Sequence, residues 1–329
     1  MNDSGYTVAS MFAGIGGVDL GFKQAGAKTV WANEIDHFAC ETFRRNFPDV
    51  DLKEGDINKL SIPKDIHIDI LCAGFPCQAF SVAGYRKGFN DDRGVLFYQV
   101  MRIAKETGVR TIFCENVKNL KNHDNGNTYR TIRKLLEDAG YCVKEKVLNT
   151  CKYGDVPQNR ERIYIVAFKK GPDGTCPEID YFAFPTPIPL KTKLSDIINY
   201  SGIENKSFYY SPEHQYYDVL NEAMDDDDTV YQWRRVYVRK NKSGMCPTLT
   251  ANMGEGGHNV PIIRDKKGIR KLTPEECLGF QGFPKDYSFP EKMAQSHKYK
   301  QAGNSVSVPV IRRIAENVIA AMKGADSER

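Results

Sequence analysis

The sequence predicts an α/β fold, with a doubly wound, mainly parallel sheet and a second, smaller domain. Short apolar runs alternate with amphipathic segments from residue 7 to residue 168, as expected for a sheet that helices cover on both faces. The alternation stops near Gly171 and Pro172, where a region rich in proline, tyrosine and charge begins. A chain of 329 residues is also longer than a single hydrophobic core usually serves, so we expect two domains.

Five apolar runs are predicted to be buried strands, with amphipathic helices between them. The strands are expected at residues 7–12, 29–32, 68–73, 111–114 and 162–168. The helices are expected at residues 18–25, 37–47, 95–107 and 127–139, and in the last of these Ile132, Leu135 and Leu136 keep the spacing of one apolar face. A further helix, with Pro309 in its first turn, is predicted at residues 308–322.

Composition excludes several classes of protein. No apolar run approaches the roughly 20 residues of a membrane-spanning helix, and the first residues lack the basic start of a signal peptide. The nine cysteines include no C-x-x-C pair, so we expect no disulfide framework and no metal site. The free thiols indicate the reducing cytoplasm. The net charge of +4 is compatible with a polyanionic partner but does not identify one.

A glycine-rich stretch between the first strand and the first helix indicates a nucleotide-type cofactor. It reads Phe12-Ala13-Gly14-Ile15-Gly16-Gly17, and glycines at such a position let the backbone approach a ligand. Glu34 follows 20 residues after Gly14, where related folds place an acid that binds a ribose. Asp56 could reach an adenine amino group. The spacing alone leaves both NAD and S-adenosylmethionine open, and a structural turn with two surface acids would look the same.

Several reactive side chains are predicted to meet at the carboxyl edge of the sheet, where open α/β sheets bind ligands. Pro76-Cys77-Gln78 follows the third predicted strand, and a basic, glycine-containing loop with Arg86 and Lys87 comes next. Glu115 ends another strand and can act as an acid or hydrogen-bond donor. Arg160 and Arg162 are expected on one face of the last strand. Each residue alone is more often structural, but four separate segments converge on one edge.

These residues resemble the ordered motifs of the cytosine-5 DNA methyltransferase family. The motifs are Gly14-Ile15-Gly16-Gly17, Gly74-Phe75-Pro76-Cys77-Gln78, Glu115-Asn116-Val117, Gln158-x-Arg160-x-Arg162, Arg270-x-Leu272-Thr273-Pro274-Glu275 and Gly303-Asn304-Ser305-Val306. The resemblance runs from residue 7 to residue 311, apart from a variable stretch between about 171 and 266. It is closest to the compact, single-chain bacterial form, whose fold is the Rossmann-like one of S-adenosylmethionine-dependent methyltransferases.

The resemblance implies a reaction and a role for each site residue. Cys77 would add to C6 of a cytosine flipped out of the helix, and C5 would then accept a methyl group from S-adenosylmethionine. Glu115 would hold the base, Arg162 would bind its edge, and Arg160 would support the site. The implied cofactor contacts are Phe12, Ala13, Gly14, Gly16, Gly17, Glu34, Ile35, Asp56, Ile57, Pro76, Leu96, Asn304 and Val306. The catalytic domain would span residues 1–185 and 300–329, and the target-recognition domain residues 186–299.

A basic and aromatic stretch at residues 231–242 is the expected DNA-reading region, although an exposed edge strand would have a similar composition. A glycine-rich segment at 248–257 follows, and its Thr248-Leu249 resembles a dipeptide of the family's recognition domain. The residues expected to contact DNA are Gln78, Ser81, Arg86, Lys87, Arg234, Arg235, Arg239, Thr248, Leu249 and Thr250.

Three alternatives share some of these features. A nicotinamide-dependent dehydrogenase would use the glycine loop but not Cys77 with Glu115. A tRNA cytosine-5 methyltransferase of the same fold usually has Pro-Pro-Cys where this sequence has Phe75-Pro76-Cys77. An inactive DNA-binding regulator would be expected to lack Cys77 or Glu115. We therefore expect a monomeric enzyme of the bacterial cytoplasm and nucleoid that acts on double-stranded DNA, without metal or membrane, beside a possible, separate restriction endonuclease.

Overall fold

The chain forms two compact units, each built from more than one segment. The computed structural model describes residues 4–75, 95–234, 236–241, 243–255 and 259–327. The first unit comprises Met1–Leu148, Glu161–Thr186 and Val310–Arg329, and the second comprises Asn149–Arg160 and Pro187–Pro309. These boundaries differ from the expected ones, because residues 149–160 and 300–309 pack within the second unit.

A seven-stranded sheet forms the centre of the first unit, in the order β3-β2-β1-β4-β5-β8-β6. Neighbouring strands from β3 to β5 run parallel, and β8 runs antiparallel to β5. Their bounds are β1 Thr7–Met11, β2 Lys28–Glu34, β3 Asp51–Glu54, β4 Ile70–Ala73, β5 Thr111–Val117, β6 Tyr141–Asn149 and β8 Glu161–Lys169, while β7 Gln158–Asn159 belongs to another sheet. The mainly parallel sheet confirms the predicted fold class. The strands β3 and β6 were not predicted.

Helices cover this sheet at the places where the amphipathic pattern predicted them. The first four are α1 Gly17–Gln24, α2 His37–Asn46, α3 Val95–Thr107 and α4 Asn127–Asp138. Two short helices follow, α5 Thr150–Tyr153 in the second unit and α6 Pro177–Tyr181 in the first. The main core on one side of the sheet includes Trp31, Leu71, Ile112 and Ile165, all at most 1% exposed.

The second unit is smaller and contains both strands and helices. A four-stranded sheet has the order β10-β9-β12-β13, formed by β9 Tyr231–Trp233, β10 Val238–Lys240, β12 Ile262–Asp265 and β13 Gly268–Lys271. A further strand, β11 Cys246–Pro247, pairs in parallel with β7. The helices are α7 Tyr217–Ala223, α8 Pro274–Phe280 and α9 Gln295–Asn304.

The last helix returns the chain to the first unit. This helix, α10, spans Val308–Ser327, and it packs so closely on α1 that a Cβ on Gly21 would lie 2.5 Å from Ile311 Cγ2. Among the residues that the structure describes, no helix is both long and apolar enough to cross a membrane.

Candidate active site

The carboxyl ends of β1, β2, β4 and β5 meet at one edge of the first unit's sheet. The strand order reverses between β1 and β4, because β2 and β3 lie on one side of β1 while β4 and β5 lie on the other. Open α/β sheets bind their ligands in the crevice at such a switch point. Every sequence-predicted residue of the glycine loop, with Glu34 and Glu115, lies at or just beyond these strand ends.

The glycine loop after β1 has two different kinds of glycine. Gly14 has a φ of +57°, and a Cβ there would meet no atom within 4 Å, so its backbone faces open space. Gly16 has a φ of +84°, but a Cβ there would lie 2.4 Å from the Phe47 ring. Phe12 also has a positive φ, of 56°, which is unusual for a bulky residue. Gly16 therefore serves packing, whereas Gly14 leaves room for a ligand.

Glu34, at the end of β2, fixes the shape of the glycine loop. Its Oε2 accepts a hydrogen bond of 2.7 Å from the Gly14 backbone N–H. Its Oε1 accepts two more, from the backbone N–H groups of Ile35 at 2.8 Å and Asp36 at 2.9 Å. A carboxylate has about four acceptor positions, so one position, on Oε2, is left for a ligand hydroxyl.

An apolar surface lies directly beside this carboxylate. Ile35 is a large aliphatic residue with 68% of its surface exposed, which is notable for a side chain next to a binding loop. Asp56 is half-buried, and its Oδ1 accepts hydrogen bonds from the backbone and side chain of Asn58. The Ile57 side chain instead lies in the core, 2% exposed, so only its backbone is available to a ligand. Leu96, also predicted to contact the cofactor, is half-buried against the same core.

Asn33 connects the strands that carry Glu34 and Asp56. Its Nδ2 donates to the carbonyl oxygens of Lys53 at 3.0 Å and Gly55 at 2.9 Å. Its own carbonyl oxygen accepts a hydrogen bond of 2.9 Å from the Ala13 N–H. No sequence motif identifies this residue, because a buried asparagine inside an apolar strand has no motif of its own.

Glu115 and Arg162 form an ion pair at the carboxyl end of β5. The distance between Arg162 Nε and Glu115 Oε1 is 3.2 Å, and the two side chains are only 13% and 10% exposed. The antiparallel register, which pairs Val117 with Arg162 and Glu115 with Tyr164, sets this approach. Arg162 Nη1 donates to the Glu161 carbonyl oxygen at 2.9 Å. A carboxyl and a guanidinium therefore meet at this edge, as expected, and they form an ion pair that was not predicted.

Asn116 links Glu115 to the segment that leads to the predicted nucleophile. It is 4% exposed, and its Nδ2 donates a hydrogen bond of 2.7 Å to the Phe75 carbonyl oxygen. Its Oδ1 accepts from the Val117 N–H at 2.8 Å. Several predicted residues lie outside the described part of the chain, namely Pro76, Cys77, Gln78, Ser81, Arg86 and Lys87.

Arg160 does not share a strand face with Arg162, contrary to expectation. The regular strand is interrupted between β7 and β8, and Arg160 belongs to the second unit. It is 2% exposed, and its guanidinium donates to the carbonyl oxygens of Leu249 at 2.7 Å, Gly303 at 3.4 Å and Ser305. Arg160 is thus a buried residue of the second unit that binds three backbone carbonyl oxygens.

The Thr248-Leu249-Thr250 segment is held by Arg160, through the Leu249 carbonyl oxygen, and by neighbouring residues. Leu249 is 1% exposed and its N–H donates to Gln158 Oε1 at 3.1 Å, so it supports the segment and presents no side chain to DNA. Thr248 Oγ1 donates to the Asn159 carbonyl oxygen at 2.6 Å. Thr250 is exposed. Of the two late residues expected at the cofactor, Asn304 is exposed and Val306 is buried, both within the second unit.

A hairpin formed by β9 and β10 presents the basic stretch of the second unit. Arg234 and Arg239 are exposed, and between them Val236 and Tyr237 are 84% and 56% exposed. Arg235, the next residue in the sequence after Arg234, lies outside the described residues. Lys240 is less available, because its Nζ pairs with Asp225 at 2.9 Å and Asp226 at 3.1 Å. Two residues of the acidic run at 225–228 therefore form ion pairs with Lys240.

Comparison with known proteins assigns the family. Residues 6–320 match the family of C-5 cytosine-specific DNA methylases, and the chain belongs to this family. It is 52% identical to the type II methyltransferase M.Bsp6I of Bacillus sp. (strain RFL6), over 96% of this chain and 99% of that protein. It is 36% identical to the type II methyltransferase M.HhaI of Haemophilus parahaemolyticus, over 96% and 94% of the two chains. The protein is a DNA cytosine methyltransferase of the restriction–modification type.

Two solved structures share the fold. The DNMT2 protein of Spodoptera frugiperda, crystallised as a mutant, superposes with a TM-score of 0.72 at 21% identity, over 95% of this chain and 99% of that one. The Dnmt2 methyltransferase of S. pombe gives a TM-score of 0.71 at 18% identity, over 98% and 99%. At these identities the likeness concerns the fold alone.

Proposed function

We propose that the protein transfers a methyl group from S-adenosylmethionine to C5 of a cytosine that has been rotated out of double-stranded DNA. The reaction would proceed through a covalent bond between Cys77 Sγ and C6 of the base. The observation that carries this proposal is the buried Glu115–Arg162 pair, with Nε and Oε1 3.2 Å apart, beside Asn116, which holds the backbone two residues before Cys77. A carboxyl and a guanidinium so placed suit the edge of a planar, polar ring.

The described residues at the switch point suit S-adenosylmethionine. The open backbone at Gly14 allows close approach, Glu34 Oε2 retains one acceptor position for a ribose hydroxyl, and the exposed Ile35 offers an apolar face to an adenine ring. Asp56 Oδ2 would accept a hydrogen bond from the adenine amino group. When bound, this cofactor supplies the electrophilic methyl group that C5 accepts. The contacts expected from Leu96, Asn304 and Val306 remain predictions of the family resemblance.

The chain's own side chains would activate the base. Cytosine C5 is a poor nucleophile until a group adds to C6, and a thiolate is well suited to that addition. As the Cys77 sulfur bonds to C6, the displaced electron pair moves into the ring. Glu115 would hold the base through its N3 and exocyclic amine, so that the ring can accept this charge. Nε and Nη1 of Arg162 face Glu115 and Glu161. Its Nη2 has no acceptor among the described residues and would donate to the carbonyl oxygen of the base. Loss of the C5 proton then returns the electrons and expels Cys77.

The second unit would bind the duplex around the target cytosine. Its β9–β10 hairpin places two exposed arginines on either side of an exposed apolar tip, and arginine donates two hydrogen bonds to guanine or to phosphate. We expect the protein to act as a monomer in the bacterial cytoplasm, with any cognate endonuclease acting separately.

Methyl transfer to a defined acceptor tests the proposal. The protein is incubated with radiolabelled S-adenosylmethionine and either mixed-sequence duplex DNA or tRNA, and the labelled nucleoside is identified after digestion. Label in 5-methyldeoxycytidine from the duplex is expected. Label on tRNA alone, or on the exocyclic N4, would contradict the proposal.

The covalent step is tested with duplex DNA that carries 5-fluorocytosine, from which the C5 substituent cannot leave as a proton. A denaturation-resistant protein–DNA adduct is expected with the wild type and not with Cys77→Ala. Cys142→Ala is the control variant, because Cys142 is a half-buried thiol in β6 to which no role in the reaction is assigned. An equal adduct yield from Cys77→Ala would remove Cys77 from its assigned role.

A further inference from the structure

The second unit contains an aromatic cleft that neither the methyl-transfer site nor the basic hairpin accounts for. The aromatic cleft is lined by Tyr210, His214, Tyr216, Leu220, Trp233, Ile262 and Lys271. Tyr210, Leu220 and Ile262 are at most 7% exposed and form an apolar floor.

Two rings at the rim of the aromatic cleft stack on each other, so a ligand ring would stack on an outer face of this pair. Tyr216 and Trp233 lie 4.8 Å apart with planes 29° from parallel, and His214 stands edge-on to Tyr210 at 4.8 Å. The Tyr216 N–H donates to His214 Nδ1 at 3.2 Å, so the neutral ring carries its proton on Nε2, as a donor. Tyr216 and Trp233 are half-buried and His214 is exposed.

One cation in the aromatic cleft has no acidic partner in the part of the chain that the structure describes. Lys271 Nζ lies 5.4 Å from the centre of the Tyr210 ring, and no ion pair of Lys271 is found within the described ranges of the chain. Burial lowers the pKa of this ammonium group, which means that its lost hydration is not replaced. The neighbouring Arg270 is different, because its guanidinium pairs with Asp265 at 2.6 Å and Glu276 at 2.7 Å.

The charge and the rings together restrict the occupant. Aromatic clefts often bind cations, but here Lys271 already occupies the place over Tyr210, so a second cation would be repelled. An anion would restore the lost solvation of Lys271. Rings that stack on a ligand suit a nucleobase, and the faces of a paired base are covered by its neighbours in the duplex. An unpaired nucleotide meets all of these conditions.

We propose that the aromatic cleft binds one unpaired nucleotide of the substrate DNA, with its base against Tyr216 and Trp233 and its phosphate on Lys271. The cleft is continuous with the DNA-reading hairpin, because Trp233 is the last residue of β9 and Arg234 is the first of the exposed tip. This inference rests on DNA being the substrate. A nucleotide held here is separate from the target cytosine, whose site lies in the first unit.

Acrylamide quenching of tryptophan fluorescence in the full chain tests the proposal. The chain has two tryptophans, and Trp31 is 0% exposed, so quenching reports mainly on Trp233. Single-stranded oligothymidylate is expected to shield Trp233, whereas an abasic oligomer of equal length shields it much less. Lys271→Gln is expected to weaken oligothymidylate binding about fivefold and to reduce the slope of log K against log salt by about 0.7, the value for one phosphate contact on single strands.

Two further variants separate the charge from the fold. Lys271→Arg keeps the cation and is expected to restore the salt slope, while Lys285→Gln removes an exposed lysine of the same unit and should leave the shielding of Trp233 unchanged. Equal behaviour of Lys271→Gln and Lys285→Gln would overturn the proposal. So would equal shielding by free deoxythymidine monophosphate at the same nucleotide concentration. Either failure, with duplex DNA still methylated, rejects the cleft and leaves the methyltransferase function intact.

Discussion

Asp19 makes the stability of the first unit depend on pH in the direction opposite to most carboxyl groups. It lies in the first turn of α1 and is 0% exposed. Hydrogen bonds from Ser10 Oγ at 3.2 Å and Thr29 Oγ1 at 3.1 Å stabilise its charged form. Burial outweighs them and raises the pKa of Asp19 from an ordinary value of 3.8 to about 6.

The size of the effect follows from these two values. Each pH unit between them is worth about 1.4 kcal/mol, so the contribution amounts to about 3 kcal/mol. Because the folded state holds its proton more tightly than the unfolded chain, this stability is fully present below pH 3.8 and is lost as the pH rises through about 6. Above that pH the folded protein carries an ionised carboxylate in an apolar interior.

Asp19→Asn removes the titration while keeping the size of the side chain. Urea unfolding is followed from pH 4 to pH 7.5 in a Trp233→Phe background, where Trp31 is the only tryptophan and reports on the first unit. The wild type should lose about 2.4 kcal/mol relative to Asp19→Asn across this range, because part of the effect lies below pH 4. Asp65→Asn, at an exposed position, is the control. A constant difference between wild type and Asp19→Asn at every pH would refute the reasoning.

Three other predictions concern close contacts and buried polar groups. Gly303→Ala should lower the free energy of unfolding, measured by thermal unfolding, by about 3 kcal/mol or more, since its Cβ would lie 2.1 Å from a backbone carbonyl oxygen. Gly14→Ala, in open space with positive φ, should lower it by only about 1–2 kcal/mol. Equal losses for the two variants would contradict this reasoning. Asn116→Ala should lower kcat roughly tenfold or more without raising the KM for the cofactor, and Asn33→Ala should raise the KM for the cofactor. The reverse pattern of effects would contradict the roles assigned to these two asparagines. Glu276→Gln removes one partner of a buried ion pair and should destabilise the second unit by about 3–5 kcal/mol, measured by Trp233 fluorescence in urea; a loss below 1 kcal/mol would show that the pair is dispensable.

The sequence was most informative where strands are buried on both faces. β1, β4 and β5 are continuous apolar runs, and the turns after them carry the glycine loop and Glu115, so the edge that holds the site could be predicted. β3 reads Asp-Leu-Lys-Glu and lies at the edge of the sheet, half-buried. β6 is the other outer strand and is also mostly half-buried. Neither shows the hydrophobic run that identifies a central strand.

Spacing could not reveal where a strand is interrupted. Arg160 and Arg162 have the period of one strand face, but the hydrogen bond from the Arg160 N–H to the Gln158 carbonyl oxygen breaks the regular backbone between them. One arginine consequently reaches Glu115 and the other reaches three carbonyl oxygens of the second unit. Leu249 shows the same limit, because a motif residue can be required for supporting a loop rather than for touching its ligand.

The division of the chain into interleaved segments affects how the second unit could be exchanged between related proteins. The polypeptide passes between the two units at four points, after residues 148, 160, 186 and 309. Gln158, from the short segment 149–160, donates to the Phe280 carbonyl oxygen and accepts from the Leu249 N–H. A chimera that exchanges residues 187–309 alone would pair a foreign scaffold with the resident Gln158 and Arg160. Exchange of both segments together keeps this set of hydrogen bonds within one parent, and makes the second unit a transferable module.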